Sequence, residues 1–209
     1  MAGGEPNVSD RIRVVVIDDH PVFRDGTAAL LGREPDLCVA GVASSLDEAR
    51  TLLAVDPPPD VVLLDVRLGE ESGLVIVEEL ASRTAVVVFT AYDYPQYLHA
   101  ALRLGAAGFV AKSAPTDELL RAVRQAAAGG LAFDRRALGT EGVVLTDRER
   151  ELVRLLTDGR TNDEIGLALG ITTKTVESAL SRVFLRTSTR SRTELAVRAV
   201  REGWLDVPT

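Results

Sequence analysis

Apolar and polar positions follow two rhythms along this chain. Through residue 128, short unbroken apolar runs alternate with longer segments of helical spacing. The runs are 14–17, 37–43, 61–64, 85–89 and 108–111. Unbroken apolar runs between turn signals predict strands buried on both faces. The intervening and following segments, 21–32, 46–54, 72–83, 95–104 and 116–128, predict helices. Ser45 with Glu48 makes a capping-box pattern at the start of the second helix, and Pro57-Pro58-Pro59 ends it. From Leu145 the rhythm is helical throughout. Capping-box patterns recur at Thr146/Glu149, Thr161/Glu164 and Ser191/Glu194, and Gly159 and Gly170 fall where helix ends need positive φ.

Five strand–helix units predict a parallel sheet with helices on both faces, and 2-1-3-4-5 is the natural strand order for such a doubly wound, flavodoxin-like fold. The C-terminal helices predict a small all-α bundle. Residues 129–143, with Gly129-Gly130, Arg135-Arg136 and Gly139, lack strong periodicity. The expected organisation is an α/β domain over 10–129, a linker over 130–143 and a helical domain over 144–209.

Composition narrows the class. The chain of 209 residues is 46% apolar, enough for sizeable cores, and has no apolar run near the length of a membrane span. The first eleven residues are polar and lack the apolar stretch of a signal peptide. The single cysteine, Cys38, excludes an internal disulfide and is expected to be a buried structural thiol. A cytoplasmic protein with no membrane association is expected. The net charge is −7, against a wholly basic nucleic-acid binder. It is unevenly spread: 13 Lys and Arg face 21 Asp and Glu through residue 143, then 11 face 10. Residues 174–192 hold five bases and one acid, Glu177. An acidic body joined to one with a basic stripe suggests two functions.

Ligands of open parallel sheets bind beyond the C-terminal strand ends. Here those ends carry Asp18-Asp19, Asp65, Thr90 and Lys112. In the expected order four of the strands are neighbours, so these groups converge. Three clustered carboxylates need a hard cation, and oxygen ligands suit Mg²⁺. Aspartate can act as a nucleophile, so a free carboxylate beside the cation can accept a phosphoryl group. Lys112 and Mg²⁺ would neutralise charge, and Thr90 could donate to the new phosphate.

With these residues in place, 12–128 resemble the receiver domain of two-component response regulators. The acidic pair, Asp65 in Leu63-Leu64-Asp65-Val66, Thr90 in Phe89-Thr90-Ala91 and Lys112 after Gly108-Phe109-Val110-Ala111 match that family's motifs in order and spacing. The stretch from Asp18 to Gly26 is similar to the NarL/FixJ subgroup. The resemblance implies that Asp65 is the phosphoacceptor. Asp19, Asp65 and the Arg67 carbonyl would ligate Mg²⁺, Asp18 would act through water, and Thr90 and Phe109 would be the switch pair. Gly69 stands where the family usually has proline, which predicts a looser loop after Asp65. Phe109 replaces the commoner tyrosine.

Residues 145–204 resemble the LuxR-type helix-turn-helix. The resemblance and the pattern agree on a supporting helix over 163–169, a turn at Gly170-Ile171 and a recognition helix from Thr172 to about Arg186. Val176, Ala179, Leu180 and Val183 would face its core. Lys174, Thr175, Glu177, Ser178, Ser181 and Arg182 would face the major groove of double-stranded promoter DNA. Lys174, Arg182, Arg190 and Arg192 suit phosphates, whereas Glu177, Ser178 and Ser181 suit base edges. Ala179 sits where histidine is common, and Thr187-Ser188-Thr189 replaces the usual turn. In the last helix, expected over 193–204, Leu195 and Ala199 would pack inward. Val197 and Trp204 are candidates for a homodimer contact, because such modules read paired half-sites.

The resemblance implies a transcription regulator switched by a sensor histidine kinase, dimeric when active. A phosphatase of the haloacid-dehalogenase type would need a second acid two residues after Asp65; Arg67 stands there, so no enzyme is expected. An alternative keeps the helix-turn-helix but makes the receiver a phosphorylation-independent interaction module. The acidic pair, Asp65, Thr90 and Lys112, all present, argue against it.

Overall fold

The five apolar runs form one parallel sheet. The structure is a computed structural model that describes residues 11–133, 143 and 145–205. Strands β1 (Ile12–Ile17), β2 (Leu37–Ala43), β3 (Val61–Leu64), β6 (Ala85–Thr90) and β7 (Gly108–Ala111) lie in the order β2-β1-β3-β6-β7. Two short strands, β4 (Arg67–Leu68) and β5 (Glu71–Ser72), form a separate hairpin, so this is the expected 2-1-3-4-5 order. The helices are α1 (Pro21–Leu31), α2 (Leu46–Leu53), α3 (Val77–Ala81), α4 (Pro95–Arg103) and α5 (Thr116–Ala127).

β3 is buried along its whole length, as its unbroken apolar sequence requires. Val14, Val16, Val61, Leu63 and Val87 pack with Leu31, Leu119 and Val123 into one core. Each such aliphatic side chain contributes about 1.5–3 kcal/mol by leaving water. The register aligns the strand ends: Ile17 lies beside Leu64, Leu64 beside Val88 and Thr90 beside Ala111. The residues that follow therefore meet at one edge of the sheet. At the other side of the domain, Ala132 makes an isolated parallel bridge to Gly108, so the first residues of the expected linker are paired with β7.

The helix expected over 72–83 is shorter and begins differently. Ser72 pairs with Arg67 in the hairpin, Gly73–Ile76 is a 3₁₀ turn, and α3 spans only Val77–Ala81. The cause is a close crossing. A Cβ at Gly73 would overlap the Asp65 carbonyl oxygen, and the Gly73 N–H donates to the Val66 carbonyl at 2.7 Å. Cys38 is only half-buried on the edge strand β2, not buried as expected.

The second unit is a bundle of α6 (Asp147–Thr157), α7 (Asn162–Leu169), α8 (Thr173–Thr187) and α9 (Arg192–Arg201). Leu152, Leu156, Ile165, Val176, Leu180, Val183 and Leu195 form its core. Gly159 and Gly170 take positive φ at the helix ends, as expected. α9 stops at Arg201, three residues earlier than expected. Trp204 turns back into the core at 1% exposure under the Arg198 guanidinium, 5.1 Å above its ring. Trp204 is therefore a core residue and not a dimer contact. No helix among the described residues is long and apolar enough to cross a membrane. Residues 134–142, most of the expected linker, lie outside the described residues, as do 1–10, 144 and 206–209.

Candidate functional site

The aligned strand ends bring together the residues singled out in the sequence. Asp18 and Asp65 follow β1 and β3 directly and are both buried. Their backbones continue the sheet: the Asp65 N–H donates to the Ile17 carbonyl at 2.9 Å, and the Asp18 N–H to the Ala43 carbonyl at 3.0 Å. Lys112 follows β7 and reaches between them. Its Nζ lies 2.6 Å from Asp18 Oδ2 and 2.6 Å from Asp65 Oδ2, and its side chain is only 4% exposed. The Phe23 ring of α1 covers the same ammonium at 4.7 Å. Burying a lysine and two carboxylates is unfavourable unless they pair, and here they do.

Asp19 lies outside that pairing. Its Oδ2 accepts from the Gly69 N–H at 2.9 Å. His20 Nδ1 lies 2.8 Å from Asp19 Oδ1, but that buried oxygen accepts no hydrogen bond. Asp18, Asp19, His20 and Asp65 each offer one ligand atom, all within 4.8 Å of one another. This is an acidic Asp cluster consistent with a Mg²⁺ site: a bare, buried carboxylate oxygen beside two further carboxylates is a donor set for a hard cation. Sequence reasoning did not include His20, although it directly follows the acidic pair. A nitrogen ligand suits Mg²⁺ poorly.

Thr90 closes β6 and is fully buried; its Oγ1 accepts from the Tyr92 N–H at 3.3 Å. Its carbonyl accepts from the Lys112 N–H at 2.7 Å, which fixes the lysine backbone against β6. Phe109 is buried in β7 beside Val88, and its N–H donates to the Ala132 carbonyl at 3.0 Å. The Arg67 N–H lies 3.4 Å from Asp65 Oδ1, and its guanidinium sits 5.7 Å from the Tyr92 ring centre. The loop after Asp65 is tied rather than loose. Gly69 and Glu70 form the two-residue turn of the β4–β5 hairpin, and Gly69 has φ +65°, a conformation glycine takes without strain.

In the second unit, α7, the Gly170 turn and α8 place the recognition helix. The Thr172 side chain caps it by accepting from the Thr175 N–H. Its far end closes at Ser188, φ 51°, where the Thr187 and Thr189 hydroxyls bond each other at 2.8 Å and Thr187 Oγ1 donates to the Val183 carbonyl at 2.8 Å. The unusual Thr-Ser-Thr turn is thus satisfied internally. Val176, Leu180 and Val183 are buried, and Ala179 packs partly against them.

Lys174, Thr175, Glu177, Ser178, Ser181, Arg182 and Arg190 are exposed, as expected. Ser178 Oγ and Ser181 Oγ donate back to the Lys174 and Glu177 carbonyls, both at 2.9 Å. Arg192 is half-buried, and its guanidinium donates to Asn162 Oδ1 at 3.1 Å and to the Arg160 carbonyl. Arg186 was not expected at the site; it pairs with Glu149 of α6. Burial raises the Glu149 pKa, but hydrogen bonds from Arg186 and Thr146 outweigh it and hold the carboxyl below its ordinary value.

A receiver-like sheet with a carboxylate and lysine cluster at its ligand edge, followed by a helix-turn-helix bundle, defines a signal-responsive DNA-binding regulator. The family description "Response regulator receiver domain" matches residues 14–124, and "Bacterial regulatory proteins, luxR family" matches 143–199. The chain is 35% identical to the DNA-binding transcriptional activator DevR/DosR of Mycobacterium tuberculosis, covering 90% of this chain and 94% of that protein. It is 31% identical to the nitrate/nitrite response regulator NarL of Escherichia coli K12, covering 88% and 93%. A structure of two RcsB dimers bound to two parallel DNAs superposes over 95% of this chain and 100% of that one, with TM-score 0.69 and 20% identity, and so shares the fold. The chain belongs to the NarL/FixJ family of two-component response regulators, with a receiver domain and a LuxR-type helix-turn-helix. It is a DNA-binding transcription regulator, in a family of transcription factors and not of enzymes.

Proposed function

We propose that a sensor histidine kinase transfers a phosphoryl group to Asp65 of this chain, and that the transfer controls binding of a homodimer to double-stranded promoter DNA. The observation that carries the reading is the buried Asp18–Lys112–Asp65 arrangement beside an Asp19 oxygen without a donor. In the transfer the phosphorus–nitrogen bond of a phosphohistidine breaks and an acyl phosphate forms on Asp65. Asp19, Asp65 and the Arg67 carbonyl would hold Mg²⁺, with Asp18 acting through water. Mg²⁺ supplies charge neutralisation there. Lys112 would pair with the new phosphate, and Thr90 would turn its hydroxyl to it. Phe109 would move with Thr90 as the switch pair. The receiver would span 10–129, the linker 130–143 and the DNA-binding domain 144–209; the Ala132 bridge holds the start of that linker on β7.

At DNA, Lys174, Arg182 and Arg190 would neutralise phosphates, Glu177, Ser178 and Ser181 would face base edges, and Thr175 would lie near the major groove. Arg192 would reach a phosphate only by leaving its present partners on Asn162 and Arg160. Two relatives, a DNA-binding transcriptional activator and a nitrate/nitrite response regulator, support this reading. The RcsB structure, dimers on DNA, supports the homodimer. The test is incubation with acetyl phosphate and Mg²⁺, followed by intact mass. The native chain should gain one phosphate and Asp65→Ala none; a full gain in Asp65→Ala would overturn the assignment.

A further inference from the structure

We propose that the Gly69 backbone N–H is a positioning group that aims the Asp19 carboxylate for Mg²⁺ binding, an inference that rests on the Mg²⁺ reading above. In the cluster, Lys112 pairs with Asp18 and Asp65 but not with Asp19. Asp19 Oδ2 accepts instead from the Gly69 N–H, fifty residues away, at 2.9 Å. That bond occupies one oxygen and leaves Oδ1 buried among the other carboxylates without a hydrogen-bond donor, with only His20 Nδ1 beside it at 2.8 Å. A neutral donor orients a carboxylate without cancelling its charge. Oδ1 is therefore held ready for a cation, and the cation does not have to order it.

The N–H reaches Asp19 because of the backbone at Gly69. The β4–β5 pairing forces a two-residue turn whose first residue takes φ +65°, and in that turn the N–H lies on Asp19 Oδ2. Nothing lies within 4 Å of where a Cβ at Gly69 would stand. A side chain fits there; what this position needs is an N–H and a tolerated positive φ. Asparagine has both, alanine has the N–H with some strain, and proline has neither.

The experiment is a Mg²⁺ titration of the full ¹⁵N-labelled chain followed by amide chemical shifts, with stability measured in parallel. In the native chain the Gly69 amide proton should resonate downfield without Mg²⁺ and move upfield in Asp19→Ala. Gly69→Asn and Gly69→Ala should half-saturate within about twofold of native, while Gly69→Pro should need about 3- to 10-fold more Mg²⁺, the net worth of one ordinary, solvent-exposed hydrogen bond. The proposal is overturned if Gly69→Pro saturates with the native chain. It is also overturned if Gly69→Ala falls with Gly69→Pro, because backbone conformation would then be the cause. A native chain that shows no Mg²⁺ response would overturn the metal reading itself, an outcome distinct from both.

Discussion

Lys112→Met isolates the electrostatics of the acidic site. The substitution keeps the length and apolar stem of the side chain and removes only the charge. In the native chain that charge sits 2.6 Å from Asp18 and from Asp65, buried with both. Removing one partner of a buried pair leaves uncompensated charge and costs about 3–5 kcal/mol. Two buried carboxylates lose their counter-charge here, and the interaction with the Phe23 ring also weakens, so the upper half of that range is expected. With a urea slope of about 2 kcal/mol per molar, the receiver transition should fall by about 2 M. The assay is urea unfolding followed by circular dichroism in EDTA. The fluorescence of Trp204, the only tryptophan, gives the transition of the second unit as an internal reference. Mg²⁺ should then rescue the variant more than the native chain, because three carboxylates without a lysine bind a cation more strongly. At ten times its Kd, Mg²⁺ returns about 1.4 kcal/mol. A variant as stable as the native chain in EDTA would refute the reasoning, because the Lys112 pairing would then contribute nothing to the fold.

Replacing Lys174 or Arg182 with Ala should weaken binding to all DNA sequences and lower the salt slope by about 1 for each phosphate no longer neutralised, as read by titration at several salt concentrations. Arg192→Ala should instead lower the melting temperature of the helical unit, since its donors brace Asn162 and the Arg160 carbonyl; an unchanged melting curve would contradict that role. Glu149→Gln should destabilise the helical unit at pH 7 by about 0.5–1 kcal/mol, a modest value because Arg186 is partly exposed. The Glu149 pKa is held low in the folded chain, so its contribution is present above the unfolded value and lost as pH falls through the folded one; native and variant curves should converge in acid. Val197→Asp should reduce dimer formation measured by sedimentation with phosphodonor, because Val197 and Val200, 55% and 61% exposed, form an apolar pair one helical turn apart on α9.

What was legible in the sequence was whatever local pattern alone decides. The inner strands could be read because burial on both faces leaves no polar position in a run; β2, on the sheet edge with Ala40 and Val42 exposed, could be read from its apolar run alone, and the site could be read because its residues end the strands. The parts that could not be read depend on approaches between residues far apart along the chain. The hairpin after Asp65 exists because Gly73 crosses the Asp65 carbonyl and Gly69 meets Asp19, and no periodicity reports either approach. Trp204 looked like the end of an amphipathic helix, but the chain leaves the helix at Arg201, and its ring enters the core from a turn.

The capping boxes show the limit even for local pattern. All four have a Ser or Thr followed three residues later by Glu, and in all four the hydroxyl accepts from the Glu N–H. At Thr146 and Thr161 the Glu carboxylate also returns to the cap's own N–H. At Ser45 and Ser191 it goes one residue earlier, to the N–H of Ser44 and of Arg190. The difference lies in the cap backbone. Thr146 and Thr161 have φ −64° and −71°, whereas Ser45 and Ser191 have φ −147° and −146°. Rotation about N–Cα by some 80° swings the cap's own N–H away from the first turn and presents the preceding one. The approach of the chain into the helix sets that rotation. At Ser191 the approach is the Thr-Ser-Thr turn closing the recognition helix, so a carboxylate of α9 holds Arg190, a proposed phosphate contact, by its backbone while its side chain stays free for DNA.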